Sequence, residues 1–386
     1  THEYYFDIHP PLGKLILAGW GKLWGFQPGF SFANIGEVYP DKLYIALRFL
    51  PSLAGALLPL VIYGIARRLR MSQAAAALAG VLIALDNALL VQSRYILLDA
   101  FLLLFGFTAV YCYLRWRDGG TKWLLVAVGL LGGTAMSIKW TGITFLALIV
   151  LMELAHLYKD RHGTARRRLG PLIATLGVLP LLVYASAFAI HFTLLTKPGP
   201  GDAFMSAQFQ HTPLPQKILE LNVEMYRSNH RLTATHPYSS RWYTWPFMGR
   251  PIFYWVESNA RVYLLGNPAV WWLSTAALIV ALTNIVASGL RRIDPILAVL
   301  VGAWLMNMLP FIGITRVMFL YHYFTALIWA VLLLAYLVDQ SNKQRQVFFA
   351  ISGIALALFI FFAPLSYGLP LSEPAYHART WFGSWR

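Results

Sequence analysis

Charge is scarce in this chain. Asp, Glu, Lys and Arg make up 12% of its 386 residues, where a globular protein carries roughly 25%. A soluble protein of this length could not cover its surface with so few charges, and a disordered chain or coiled coil is excluded on the same grounds. Cysteine is scarcer still: Cys112 is the single one and falls inside an apolar run, which excludes a disulfide framework and a Cys-based metal site. The GxxxxGK[ST] loop that cradles nucleotide phosphates, the HExxH zinc helix and the GxSxG nucleophile elbow are all missing. No D-x-D triplet occurs, which argues against a metal-bound nucleotide-sugar donor. Internal repeats and low-complexity tracts are missing as well.

What remains is apolar: hydrophobic residues make up 58% of the chain. Segments 43–66, 72–91, 97–114, 123–138, 141–158, 171–194, 269–289, 295–314, 319–338 and 347–364 are each long enough, or nearly so, to cross a bilayer. An all-α polytopic membrane protein with ten spans is the expected class. Gly132-Gly133 is expected to let one helix approach another closely.

The net charge of +15 is a statement about orientation. Loops 67–71, 115–122, 159–170, 290–294 and 339–346 hold a large share of the Lys and Arg, including the run Arg166-Arg167-Arg168 and the pair Arg291-Arg292. The short connections between them hold only Arg94, Lys139 and Arg316. That alternation places the basic loops in the cytoplasm and argues against nucleic acid as a partner. Residues 1–42, 195–268 and the tail from 365 then lie outside. Because an external first segment carries no apolar leader of its own, at least one further span is expected upstream of Thr1.

These external segments have their own patterns. Leu12 to Phe26 reads as a short interfacial helix with Trp20 and Trp24 at the boundary. Asp202 is expected to cap a helix after the Lys197-Pro-Gly-Pro-Gly201 opening. Pro215 to Arg231 reads as a second surface helix, and Trp242 to Trp255 as an aromatic belt.

Ionisable groups in spans are expensive and usually functional. Arg48, Asp86, Asp99, His191 and His322 all lie near the external span ends, and Arg94, Lys139 and Arg316 in the external turns. Glu153 and His156 near the inner ends read as a solvated helix end. A one-sided collection of this kind points to an external reaction chamber, whereas a transporter would place polar groups near the midplane. Blander readings stand beside the functional ones. Arg94, Lys139 and Arg316 can snorkel to the headgroups. Asp86 and Asp99 fit either a pocket or structural ion pairs, and the two histidines fit hydrogen-bonded helix ends. Arg48, about a turn inside a span, calls for an anion. Several cations at the lipid boundary suit a phosphate whose tail stays in the bilayer.

The motifs then become specific. Tyr5-Phe-Asp-Ile-His-Pro-Pro-Leu-Gly-Lys14 closely resembles the first-loop signature of the protein O-mannosyltransferases. Arg48 stands where that family has a second-span arginine. Asp86-Asn87 with Gln92-Ser-Arg-Tyr-Ile-Leu-Leu-Asp99, Ser137-Ile-Lys-Trp-Thr-Gly142, Gly199-Pro-Gly-Asp-Ala-Phe-Met-Ser206 with Phe209-Gln210, and His236-Pro-Tyr-Ser-Ser-Arg-Trp-Tyr-Thr-Trp-Pro246 are similar to its later motifs, in the same order.

The resemblance implies a GT-C glycosyltransferase fold with eleven spans, one of them ahead of Thr1. Its organisation would be a first external loop (1–42), a six-span catalytic module (43–194), an acceptor-side loop (195–268), and a four-span module with an external tail (269–386). The implied reaction is inverting transfer of mannose from polyprenyl- or dolichyl-phosphate mannose to Ser or Thr of a protein, with no metal or other cofactor required. The general base of the family lies in an Asp-Glu pair ahead of the Tyr-Phe-Asp motif, upstream of Thr1, so turnover by the chain as it stands is not expected. Asp7 and His9 would support the pocket, while Arg48, Lys139 and Arg94 would bind the donor phosphate. His236, Tyr238, Trp242 and Trp245 would cover the acceptor. A dimer is an expected assembly. The large loop is too short for the modules inserted in eukaryotic members, which favours a prokaryotic cell membrane over an endoplasmic reticulum membrane. The rivals are a GT-C transferase of another lipid-linked sugar, a transporter, and a noncatalytic partner subunit.

Overall fold

The computed structural model describes residues 2–27, 29–30, 37–159, 169–289 and 293–386. Each of the ten apolar segments is helical. In chain order, helix α1 spans Leu12–Leu23, α2 Leu43–Arg68, α3 Gln73–Ala84, α4 Asn87–Arg94, α5 Asp99–Arg117, α6 Lys122–Ile138 and α7 Ile143–Lys159. Helix α8 covers Leu169–Leu194, with a π-helical stretch at Ile173–Val178. Helix α9 is Leu214–Arg231, α10 Pro268–Ser288, α11 Pro295–Met308, α12 Phe324–Asp339 and α13 Gln344–Tyr367.

Six helices among the described residues are long and apolar enough to cross a bilayer, and a seventh span arises if α3 and α4 count together. The run expected to be continuous at 72–91 is broken, because the Asp86 carboxylate accepts the Leu89 N–H at 2.9 Å and starts a new helix bent by 53° from the one before. Helix α6 and the segment Pro295–Phe311 are shorter apolar helices. The bilayer follows from where the apolar surface lies. Only 11% of the apolar stretch of α13 and 17% of that of α8 is buried within the protein, an exposure that water would not tolerate. The cations Arg161, Arg166, Arg167, Arg168, Arg291 and Arg292 lie outside the described residues.

The chain forms two compact units: Thr1–Pro51 with Phe101–Ala234, and Ser52–Ala100 with Thr235–Arg386. In the first, α6 lies directly against α8, where a Cβ on Gly133 would stand 2.8 Å from Pro180 Cα; this is the close approach expected of the glycine pair. The loop after α8 folds back on the N-terminal segment. Tyr4 N–H donates to Lys197 O at 2.9 Å and Gly201 N–H to Tyr4 O at 3.0 Å. A side chain on Gly201 would strike Phe6 N at 2.5 Å, so the glycine is required by proximity. Asp202 does not cap from the front as expected. It sits inside the 3-10 turn Pro200–Phe204 and reaches back, accepting Gly199 N–H at 2.8 Å and the Gln210 amide at 2.6 Å. Helix α9 forms as expected and presses Leu221 and Met225 onto Phe188 of α8. Trp20 faces inward enough to donate to Ala46 O at 2.8 Å, while Trp24 is exposed. Glu153 is buried rather than solvated, holding Tyr113 OH at 2.9 Å and Arg117 Nη1 at 3.2 Å.

In the second unit α12 is the centre. Thirteen of its sixteen residues are buried, as expected of a helix apolar on every side. Among the described residues the departure from an all-α fold is in this unit, an antiparallel hairpin of β1 (Ile252–Glu257) and β2 (Ala260–Leu264). Its Ser258-Asn259 turn places Ser258 at φ 52°; of the aromatic belt expected over Trp242 to Trp255, the first six residues form the 3-10 turn Trp242–Phe247 and the last four lie in β1. Trp245, ahead of it, is buried, and Trp385 from the tail donates to Met248 O at 2.8 Å.

Candidate active site

The first-loop motif builds a cleft in the first unit. Pro10 and Pro11 stop the extended segment and start α1, which brings Lys14 back towards Asp7. The Asp7 carboxylate accepts His9 N–H at 2.8 Å through one oxygen and pairs with the Lys14 ammonium through the other. Tyr5, Asp7, His9, Pro11 and Lys14 line the cleft together with His191 of α8 and Leu221 of α9. Both Asp7 and His9 are therefore brought to one place. Burial pulls the Lys14 ammonium down to about 8, even with a carboxylate beside it. Burial likewise raises the phenol of Tyr5.

Lys139 caps the end of α6 and accepts Gly142 N–H through its carbonyl at 2.8 Å, forming the turn that the Ser-Ile-Lys-Trp-Thr-Gly motif encodes. The next residue, Trp140, donates to Tyr184 OH at 2.9 Å, and that hydroxyl donates to Asn222 Oδ1 at 2.5 Å. The lysine turn is thus tied to both α8 and the loop helix α9. Arg48 is half-buried, its guanidinium 5.2 Å from the centre of the Tyr44 ring.

The second unit holds the remaining motifs. Asp86 is fully buried and accepts Leu89 N–H, Asn267 N–H at 3.0 Å and the Trp271 indole at 2.7 Å. Those three neutral donors satisfy the carboxylate as a structural joint. Gln92 donates to Asp99 Oδ2 at 2.7 Å and accepts from Tyr254 OH at 2.5 Å, linking the Gln-Ser-Arg stretch to β1. Burial and the nearby Asp99 hold the Tyr254 phenol in its protonated form. Arg94 donates to Ser366 O at 2.8 Å and lies 4.6 Å over the Tyr367 ring.

The histidine–tryptophan motif is knitted together locally. His236, exposed, accepts Tyr238 N–H at 3.1 Å; Tyr238 stacks on Phe253, and the Arg250 guanidinium lies 5.1 Å from the centre of the Tyr238 ring. Trp245 donates to Ser240 Oγ at 2.9 Å and stacks on His322. Trp242 stands beside Tyr243 at the surface of the same turn.

The sequence assigns no site role to Tyr4, Tyr5 or Lys14, and presents His191 only as one of the ionisable groups at the external span ends, with a hydrogen-bonded helix end as its blander reading. Lys14 closes the very motif that names Asp7, and its seven-residue separation from that aspartate across a Pro-Pro corner was the available signal. His191 had none beyond its place at a span end.

The helical fold is that of the GT-C glycosyltransferases. The S. cerevisiae protein O-mannosyltransferase Pmt1-Pmt2 complex bound to the sugar donor has the same fold, with a TM-score of 0.91 at 20% identity, covering 100% of this chain and 87% of that one. ArnT from Cupriavidus metallidurans in the apo state is a more distant neighbour, at a TM-score of 0.55 and 16% identity over 98% of this chain and 58% of that one.

Residues 1–196 match the family model described as dolichyl-phosphate-mannose-protein mannosyltransferase, and residues 214–385 that of the C-terminal four TMM region of protein-O-mannosyltransferase. The chain belongs to the protein O-mannosyltransferase family. It is 35% identical to protein O-mannosyltransferase 1 of Drosophila pseudoobscura pseudoobscura over 67% of this chain and 29% of that protein. It is 27% identical to the polyprenol-phosphate-mannose–protein mannosyltransferase of Mycolicibacterium smegmatis over 99% of this chain and 83% of that one. The matched region thus spans under a third of the fly relative's length.

Proposed function

We propose that this chain serves in the transfer of mannose from a polyprenyl- or dolichyl-phosphate mannose to Ser or Thr hydroxyls of proteins, on the extracytoplasmic face of the membrane. The observation that carries the reading is the Asp7–Lys14 pair, which sets the family's first-loop signature into a cleft with His9. In the reaction the acceptor oxygen attacks the anomeric carbon, the bond from that carbon to the phosphate oxygen breaks, and a base takes the hydroxyl proton. Charge grows on the departing lipid phosphate. Arg48 and Lys139 are the cations assigned to it here, with Arg94 a third by resemblance alone. Only the part of that attraction gained in the transition state accelerates transfer. His236, Tyr238, Trp242 and Trp245 are assigned to the acceptor side. The name of the mycobacterial relative supports a lipid-phosphate mannose donor, and the paired yeast structure supports a dimeric assembly. A prokaryotic cell membrane fits the length of the 195–268 loop.

The test is transfer of radiolabelled mannose from polyprenyl-phosphate mannose to a Ser/Thr peptide, in membranes of cells expressing the gene that encodes this chain. The expected product is an alkali-labile label on the peptide, released by an α-mannosidase. Label appearing in lipid or glycan, with none on peptide, would overturn the protein-acceptor reading.

A further inference from the structure

Two buried polar side chains in the first unit have no hydrogen-bond partner among the described residues, and they are neighbours. His191 is 4% exposed and neither ring nitrogen is satisfied; Tyr4 is fully buried and its hydroxyl is unsatisfied. Their rings meet edge to face at 6.0 Å. Buried polar atoms are nearly always paired, because burial strips them of water at a cost that only a hydrogen bond returns. Packing does not explain the choice of residue. Phe192 and Phe209 fill the surrounding space, and phenylalanine in place of Tyr4 or His191 would fill it as well without stranding a polar atom. The Tyr4 backbone is pinned by Lys197 and Gly201, so the phenol is held where it is. His191 lines the same cleft as Asp7, His9 and Lys14.

We propose that His191, with Tyr4 beside it, forms a subsite for a hydroxyl group of the substrate. A neutral imidazole offers one N–H donor and one nitrogen acceptor, and a phenol offers an O–H that can also accept. That set complements a hydroxyl, which both gives and takes a hydrogen bond. A phosphate is the poorer fit, because the one cation in the cleft lining, Lys14, is already matched by Asp7. Tyr5, at the surface, packs edge to face against His191 at 5.8 Å, and rotation of that side chain admits the ligand. The hydroxyl belongs either to the transferred sugar or to the Ser/Thr acceptor. The inference rests on the mannosyl-transfer reading and names a contact within it.

The test is equilibrium binding to the protein in nanodiscs, with each ligand set against a counterpart lacking the hydroxyl. Polyprenyl-phosphate mannose is compared with bare polyprenyl phosphate, and a Ser/Thr peptide with its Ala version. His191→Phe and Tyr4→Phe are expected to weaken one hydroxylated ligand by about three- to tenfold, the worth of one neutral hydrogen bond, and to leave its counterpart unchanged. Loss for the mannosyl lipid assigns the subsite to the sugar; loss for the peptide assigns it to the acceptor. His191→Gln, which keeps a donor and an acceptor, is expected to recover most of the affinity. Tyr4→Phe removes one unsatisfied oxygen and nothing else, so it keeps the test alive if His191→Phe fails to fold. Equal weakening of a ligand and its counterpart, or no change in any, overturns the inference. Mannose transfer in membranes of cells expressing the gene that encodes this chain is scored separately: transfer with indifferent variants overturns the subsite alone, and no transfer with no hydroxyl-dependent binding overturns both.

Discussion

The Trp140 indole donates to the Tyr184 hydroxyl at 2.9 Å, and Tyr184 passes a hydrogen bond on to Asn222. Through this one hydroxyl the lysine turn at the end of α6, the α8 helix and the loop helix α9 are joined. Tyr184→Phe leaves an indole N–H and an amide oxygen half-buried without their partner. The expected cost is about 1–3 kcal/mol, read as a lowered midpoint of thermal unfolding in detergent, with transfer falling further than stability as Lys139 loosens. An unchanged midpoint would show that water replaces the hydroxyl.

Lys14 carries a pH dependence with a defined sign. Its folded value of about 8 lies below the ordinary 10.5, so between those values the unfolded chain binds more protons and this group makes stability rise with pH. Activity moves the other way. The Asp7 carboxylate loses its ammonium partner as pH rises through about 8, so mannose transfer is expected to decline there while the protein stays folded. Lys14→Arg, which does not deprotonate in this range, should remove that alkaline limb. A limb that persists in Lys14→Arg belongs to another group.

Asp86 is expected to act on stability. Asp86→Ala strands Leu89 N–H, Asn267 N–H and the Trp271 indole in the interior, at a cost of about 3 kcal/mol or more. Membrane-extracted Asp86→Ala should unfold or fail to accumulate, and Asp86→Asn should restore part of the loss. A stable, inactive Asp86→Ala would instead place this carboxylate at the substrate.

Arg48→Ala is expected to lower kcat/KM for the lipid-linked mannose by about 100-fold, the usual penalty for removing a donor aimed at growing charge. Arg48→Lys should recover only part, because an ammonium does not reproduce a bidentate fork. If the loss appears in KM alone, Arg48 binds ground state and transition state equally. No loss at all would remove it from the phosphate site.

The order of helices was open to reading because a bilayer sorts residues by polarity alone. Every apolar run of sufficient length became helix, and Gly132-Gly133 marked a close crossing before any partner was known. The break at Asp86 was harder to see, since the apolar pattern of 72–91 runs on across it; the aspartate wins because its carboxylate has three N–H donors waiting in the fold. The hairpin was missed for a related reason. In a chain full of apolar helices, the aromatics that open β1 continue the Trp242 to Trp255 stretch and so look like part of an interfacial belt, and the Ser258-Asn259 turn is not one of the glycine-containing pairs that mark a hairpin.

By itself, then, the sequence determined the solvent, the helices and the family, because each is written in composition or in contiguous motifs. The tertiary structure alone decided which groups share a cleft. His191 lies 187 positions from Tyr4 in the chain and 6.0 Å from it in space, and no local pattern encodes such a meeting. Whether a buried polar atom is satisfied is likewise a property of its neighbours. Those neighbours are chosen by the packing of α8 against the N-terminal segment, in which hydrogen bonds and van der Waals contacts act only over a few ångströms.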